Sequence, residues 1–72
     1  MSANNVYIKT EIVGTSDKSV SDAIDNAIAT AAKMLRNLEW YEVVEVRGAI
    51  RDNKASSYQV TVKLGLRYEA RS

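Results

Sequence analysis

The chain has 72 residues, which suffices for one small domain, and we expect residues 1–72 to form it. It contains no cysteine and no histidine, which excludes disulfides, ordinary zinc sites and a nucleophile activated by an imidazole base. Ten Lys or Arg residues against nine Asp or Glu residues give a net charge of +1, so overall attraction to nucleic acid or to a membrane surface is weak.

The small size of the chain predicts an assembly of several copies. A domain of this length buries only about 60% of its unfolded surface when it folds alone, so it usually needs a disulfide, a metal or a partner subunit. Only the partner subunit remains here, and 46% hydrophobic residues supply the apolar surface for it. No apolar run is long enough for a membrane span or a secretory signal, which predicts a cytoplasmic protein with no membrane partner.

The chain is predicted to begin with a strand that leads into a helix. Residues 1–5 are polar and are expected to be a disordered lead-in, whereas residues 6–13 alternate well enough for a strand. A turn follows at residues 14–16. Ser19 and Asp22 have the spacing of a capping box, which places a carboxylate in the positively polarised first turn of a helix.

Helical spacing of apolar residues continues from residue 20 to residue 38, and neither Gly nor Pro interrupts residues 15–38. The apolar face consists of Val20, Ala23, Ile24, Ala27, Ile28, Ala31, Leu35 and Leu38. Several of these residues are alanines, whose small side chains let a helix approach a sheet closely. We therefore expect a helix that extends to residue 38 and packs tightly on a sheet.

Two long strands are predicted over residues 38–51 and 55–69, joined by a hairpin turn at residues 52–54. Strict alternation gives the first strand one face with Trp40, Glu42, Val44, Val46 and Ile50 and another with Tyr41, Val43, Glu45, Arg47 and Ala49. The second strand has an apolar face with Tyr58, Val60, Val62, Leu64, Leu66 and Tyr68. Its other face carries Ser57, Gln59, Thr61, Lys63, Gly65 and Arg67.

The order of elements predicts an α+β fold, in which a three-stranded antiparallel sheet in β-α-β-β order wraps partly around one helix. One helix covers only part of such a sheet, and the strand over residues 38–51 is apolar on both faces. A lone protomer would expose this apolar surface to water, so the chain is expected to form a homo-oligomer.

Trp40 and Gln59 are the first candidates for a ligand site. Trp40 is the only tryptophan; its ring could either anchor an oligomer interface or provide a platform on which a planar ligand stacks. Near a two-fold axis, two copies of Trp40 could enclose a flat ligand between them. The amide of Gln59 donates and accepts together, which suits a pyrimidine edge, although a solvated or interface glutamine is the alternative.

Basic residues are concentrated towards the C-terminus. Residues 1–45 have a net charge of −3 and residues 46–72 a net charge of +4, which indicates a local anion site rather than a nucleic-acid surface. Arg47 and Arg67 lie on the long strands, where their guanidinium groups could bind a phosphate. Taken singly, each arginine is more readily explained as a surface charge or as an ion-pair partner, for which Glu42 and Glu45 are available.

The sequence contains no constellation that supports catalysis. Glu39, Glu42 and Glu45 do not form an acid/base pair in a strand, and no serine has a histidine to activate it. We therefore expect neither an enzyme nor a metal site. Two other functions stay open: a single-stranded nucleic-acid module that uses Tyr58, Tyr68, Lys63 and Arg67, and a purely structural assembly protein. The hypothesis of a nucleic-acid module is weakened because those tyrosines and cations lie on opposite faces of the strand.

Several motifs in a fixed order resemble the dodecins, a family of small bacterial and archaeal flavin-binding proteins. The motifs are EIVGTS at residues 11–16, the alanine-rich helix, LEWYEV at 38–43, VRG at 46–48 with Ile50, YQV at 58–60 and LGLR at 64–67. The similarity extends over residues 6–69, and it resides in the order and spacing of the motifs rather than in any single one.

The resemblance implies a hollow homododecamer with flavins bound in antiparallel pairs at two-fold interfaces. By this resemblance Trp40 stacks on the isoalloxazine ring, Gln59 binds its pyrimidine edge, and Arg47 and Arg67 favour a phosphorylated flavin such as FMN. Riboflavin and FAD are alternative ligands, and coenzyme A is a second ligand to which no residue is assigned. The implied role is flavin storage with quenching of the photoexcited ring, and no nucleic-acid partner is expected.

Overall fold

The computed structural model describes residues 4–69, which form three strands and one helix. In chain order these are β1 (Tyr7–Ser16), α1 (Val20–Ala31), β2 (Leu38–Arg51) and β3 (Lys54–Arg67). Of the predicted lead-in, residues 4 and 5 precede β1 without regular structure, and residues 1–3 lie outside the described residues.

The three strands form one open antiparallel sheet in the order β1-β3-β2, with β3 in the centre. The predicted α+β class and the β-α-β-β order are therefore confirmed. Asp52 and Asn53 join β2 to β3 with φ angles of 54° and 65°, the left-handed conformation that a two-residue hairpin requires. Lys54 already pairs with Arg51, so the turn is one residue shorter than predicted.

Residues Ser16 to Asp22 fix the start of α1. Ser19 is the N-cap, and its hydroxyl accepts a hydrogen bond from the backbone N–H of Asp22 at 3.0 Å. The carboxylate of Asp22 accepts a bond from the hydroxyl of Ser16 at 2.7 Å, rather than from the backbone of Ser19 as a full capping box would have it. This places a negative charge at the helix N-terminus, where the helix dipole favours it.

The core lies between one face of α1 and the centre of the sheet. It consists of Ala23, Ala27, Ala31, Val60, Val62 and Leu64. The alanines bring the helix backbone close to β1, and Gly14 completes this approach. A Cβ atom at Gly14 would collide with the carbonyl oxygen of Ala23, so only glycine fits there.

The helix ends at Ala31, seven residues earlier than predicted, and this prediction was wrong. Ala32 is the C-cap, and the N–H groups of Met34 and Leu35 both donate to the carbonyl oxygen of Ala31, closing a final turn. Asn37 then takes a φ angle of 61° and directs the chain into β2. Leu35 and Leu38 still pack against the core. Their apolar spacing therefore indicated that they are buried, but not that they are helical.

The faces of β2 also differ from strict alternation. The pairing register shifts between Val43 and Glu45, so that one residue of β2 has no counterpart on β3. Such a bulge exchanges the two faces for every residue after it. Trp40 and Arg47, predicted to lie on opposite faces, therefore share one face.

The helix packs on β1 and β3 and leaves β2 uncovered. Tyr41, Val43 and Val46 pair with the core residues Leu64, Val62 and Val60, yet between 45% and 50% of each of these β2 residues is exposed. This apolar strip is the surface that a second protomer would cover. Within residues 4–69, no helix combines the length and the apolar character that crossing a membrane requires.

Replacement of Ser19 by alanine should lower the stability of the fold by about 1 kcal/mol, because α1 loses its N-cap. The control is Ser21→Ala, two residues further on, where the side chain is exposed and alanine has the higher helix propensity. Thermal unfolding at one protein concentration should therefore show a lower Tm for Ser19→Ala and an unchanged or higher Tm for Ser21→Ala. Equal Tm values for the two variants would contradict the capping role.

Candidate functional site

All four predicted site residues lie on one face of the sheet, the face turned away from α1, here called the outer face. Opposed residues of antiparallel strands share a face, and Trp40 is paired with Gly65 and Arg47 with Gln59. On β3 the outer residues alternate with the buried core residues. The outer residues of β3 are Gln59, Thr61, Lys63, Gly65 and Arg67.

The outer face divides into two groups along β3. Trp40 and Arg67 lie near the end of the sheet where β3 finishes, whereas Gln59 and Arg47 lie towards the hairpin. Gly65, which faces Trp40, is separated from Gln59 by six residues, or about 20 Å of strand. One protomer therefore brings Trp40 near Arg67 but does not bring it near Gln59 and Arg47.

Trp40 lies flat over Gly65. A Cβ atom at Gly65 would collide with the indole atoms Cε2, Cζ2 and Cδ2, so the missing side chain makes room for the ring. Tyr7 meets the indole edge-on, with ring centroids 4.9 Å apart and an interplanar angle of 65°. The strand backbone at Gly65 and the ring of Tyr7 both contact the indole, while 40% of Trp40 stays exposed. The result is a fixed platform for a planar ring.

Arg67 reaches towards the same end of the face. Its Nε is 3.3 Å from Oε2 of Glu39, the residue before Trp40. The backbone of Arg67 is tied to the α1–β2 connection, since its N–H donates to the carbonyl oxygen of Asn37 at 3.1 Å. The side-chain amide of Asn37 donates in turn to the carbonyl oxygen of Arg67 at 3.3 Å. Arg67 thus presents a cation beside the indole platform.

The second group consists of Gln59 and Arg47 at facing positions. Nη2 of Arg47 lies 3.4 Å from Oε2 of Glu45, so the predicted ion pair with this glutamate is formed. Gln59 is exposed, and its amide makes no side-chain hydrogen bond within residues 4–69. Both the donor and the acceptor of the amide are thus available to a ligand.

A third ion pair crosses the outer face next to Trp40. Nζ of Lys9 on β1 lies 2.9 Å from Oε1 of Glu42 on β2. The hydrogen bond and the charge of Lys9 lower the pKa of Glu42, and the charge of Lys63 adds to this effect. The ion pair therefore adds to the stability of the fold above the pH at which a free glutamate titrates. This stabilisation is lost as the pH falls through the lowered pKa of Glu42.

The sequence did not reveal Tyr7, Gly65 and Glu39 as parts of the site. A glycine inside a strand signals a close approach of another group, but only the pairing register shows that this group is Trp40. Nothing in the sequence indicated a role for Tyr7 or Glu39, because their contacts with Trp40 and Arg67 depend on which residues the sheet places side by side.

Among residues 4–69, the cavity that Trp40 lines has a volume of about 150 Å³, which is less than ligand pockets usually have, and Ile28 and Leu64 place it on the helix side of the sheet. A larger and open cavity of about 760 Å³ lies at the end of the sheet, where Arg67 lines it. Among the described residues no group of three or more carboxylates is placed to hold a metal ion. The fold and the outer face thus define a small α+β protein whose sheet presents an exposed aromatic side chain with cations near it.

Comparison with known proteins agrees with this class. The sequence model of the Dodecin family matches residues 6–69. A dodecin from Thermus thermophilus is 47% identical over 64 residues, which cover 89% of this chain and 93% of that protein. The solved dodecin from Streptomyces coelicolor is 44% identical with a TM-score of 0.87, and the match covers 97% of this chain and 100% of the other. The solved dodecin from Streptomyces davaonensis is 47% identical with a TM-score of 0.85, and the match covers 94% of this chain and 100% of the other.

The chain belongs to the dodecin family. Dodecins are small oligomeric proteins that bind flavins and are not enzymes, so the expected family and the absence of a catalytic role are confirmed. The family model matches residues 6–69, a range that contains all the residues of the outer face.

Replacement of Gly65 by alanine should displace the indole of Trp40, because the new methyl group would occupy the position of the ring. Trp40 is the only tryptophan, so its fluorescence reports on this site alone. We expect a red-shifted emission in Gly65→Ala and an unchanged emission in Thr61→Ala, a control on the same face of β3. An unchanged emission maximum in Gly65→Ala would show that the ring does not rest on Gly65.

Proposed function

We propose that the protein stores FMN, bound in pairs at two-fold interfaces of a homododecamer, and quenches the photoexcited ring. The observation that carries the proposal is the indole of Trp40, which rests on Gly65, contacts Tyr7 and is 40% exposed, at the end of the outer face that also carries the cation Arg67. A supported aromatic face next to a guanidinium group matches a ligand that has a planar ring and a phosphate.

The distance between the two groups of the outer face supports a site shared by two protomers. About 20 Å along β3 separates Trp40 from Gln59, and a flavin ring does not span this distance. If the Gln59 and Arg47 of one protomer lie next to the Trp40 of its partner, a two-fold axis forms the reverse contact by symmetry and completes two equal sites. The uncovered strip of β2 provides apolar surface for such contacts.

Each site residue has a distinct role in this proposal. The indole of Trp40 stacks on the isoalloxazine ring, an interaction of about 1–3 kcal/mol by analogy with nucleic-acid bases. The amide of Gln59 donates to and accepts from the pyrimidine edge. Arg47 and Arg67 bind the phosphate, and this contact favours FMN. Riboflavin, which has no phosphate, binds through its ring alone, and FAD binds with a longer tail.

Stacking also provides the quenching. A bound flavin supplies a ring that light can excite, and the indole of Trp40 in contact with it donates an electron and then recovers it. The light energy is dissipated, no bond changes and no product leaves. No residue of the outer face needs to transfer a proton for this role, in agreement with the family's lack of enzymatic function.

The remaining parts of the proposal concern the setting of the protein. We assign residues 1–72 to a single domain, place the protein in the cytoplasm, and include coenzyme A as a second ligand at other interfaces without assigning residues to it. Nucleic acid is not a proposed partner. Tyr58 and Lys63 lie on opposite faces of β3, and Glu11, Glu42 and Glu45 interrupt the cations of the outer face.

Trp40→Ala should weaken FMN binding by about fivefold to a hundredfold and abolish most of the quenching, since the stacking platform is lost. Trp40→Phe keeps an aromatic face but is a poorer electron donor, so it should retain more of the affinity than of the quenching. Titration of FMN fluorescence, with the assembly mass from light scattering, measures both effects. If Trp40→Ala bound FMN as tightly and quenched it as strongly as the wild type, the stacking role would be wrong.

Arg67→Ala should reduce the affinity for FMN several-fold and leave the affinity for riboflavin unchanged, because riboflavin has no phosphate. Arg51→Ala, at the exposed hairpin end of β2, is the matched control for the loss of one positive charge. Binding constants for the two flavins give the result directly. An FMN-to-riboflavin ratio that stays at the wild-type value in Arg67→Ala would refute the phosphate role.

A further inference from the structure

Glu39 is placed to compete with any anion that approaches Arg67. Its Oε2 lies 3.3 Å from Nε of Arg67, and both side chains are partly exposed, at 38% for Arg67 and 42% for Glu39. The contact engages the Nε edge of the guanidinium fork and leaves the terminal amino groups for another acceptor. A ligand phosphate would therefore share one cation with a fixed carboxylate.

The backbone places Glu39 next to Arg67. The β2–β3 register shifts between Leu38 and Trp40, so Glu39 is an extra residue without a counterpart on β3. On the other side of the shift, Asn37 and Arg67 are joined by the two hydrogen bonds described above. The bulge and these bonds place the backbone of Glu39 next to that of Arg67, so that their side chains can meet on the outer face.

We infer that Glu39 sets the preference between phosphorylated and unphosphorylated flavins by competing with the ligand phosphate for the guanidinium group of Arg67. The inference rests on the proposed function, since it assumes a flavin whose phosphate reaches Arg67. A phosphate monoester carries about −1.5 to −2 charges at pH 7, so it gains from the guanidinium group of Arg67, which the carboxylate of Glu39 already engages. Glu39 thus lowers the affinity for FMN and leaves that for riboflavin unaffected.

The test compares FMN and riboflavin binding in the assembled wild type and in Glu39→Gln, which keeps the shape of the side chain and removes its charge. Because exposed ion pairs are weak, the affinity for FMN should rise about two- to fivefold at low ionic strength, with riboflavin unchanged. Glu39→Ser is a second variant that removes the same charge and should give the same rise.

Two controls separate the inferred contact from a general effect of charge. Glu42→Gln removes a carboxylate from the same face that pairs with Lys9 instead of Arg67, so it should change the FMN-to-riboflavin ratio less than Glu39→Gln does. In the Arg67→Ala background, Glu39→Gln should have no further effect on this ratio, because the competed cation is gone.

Each alternative result has a definite meaning. The inference is overturned if Glu39→Gln leaves the ratio unchanged, if Glu42→Gln raises it equally, or if the effect of Glu39→Gln persists in Arg67→Ala. In each of these cases wild-type FMN binding and quenching would leave the proposed function intact. A wild type that binds neither flavin would instead overturn the proposed function, and the inference with it.

Discussion

One short helix on a sheet of long strands is the constraint on which this structure depends. The 12 residues of α1 extend for about 18 Å, whereas each 14-residue strand of the hairpin extends for about 46 Å. The helix covers β1 and part of β3, so the apolar side chains of β2 remain in contact with water. An assembly removes this unfavourable exposure, and it is also the condition for a complete ligand site in the proposed function.

Two local irregularities make the outer face usable. The bulge after Val43 brings Arg47 onto the face that already carries Trp40, and the bulge at Glu39 sets a carboxylate beside Arg67. Gly65 supplies the flat area under the indole. Bulges often redirect side chains next to functional sites, and here they position both the cations and one of their counter-charges. The ligand platform and its electrostatic setting thus have a common origin in the pairing of β2 with β3.

Much of the fold and part of the site could be predicted from the sequence. The class, the element order, the core face of β3 and the hairpin followed from periodicity and turn residues, and the resemblance identified the family. The end of α1 could not be predicted, because Leu35 and Leu38 continue a helical spacing while they pack from a turn and a strand. The faces of β2 could not be predicted either, because a bulge has no signature in an alternating pattern that is apolar on both sides.

The sequence by itself determined that the chain is small, has no thiol chemistry and no ordinary zinc site, is rich in apolar residues, and carries one tryptophan, one glutamine and a basic C-terminal part. These properties belong to single residues and to their order. Only the tertiary structure decided that Glu39 faces Arg67, and that the indole of Trp40 contacts Tyr7 and rests on Gly65, about 20 Å of strand away from Gln59. Those relations depend on the register of paired strands, where one inserted residue exchanges the two faces of everything that follows it.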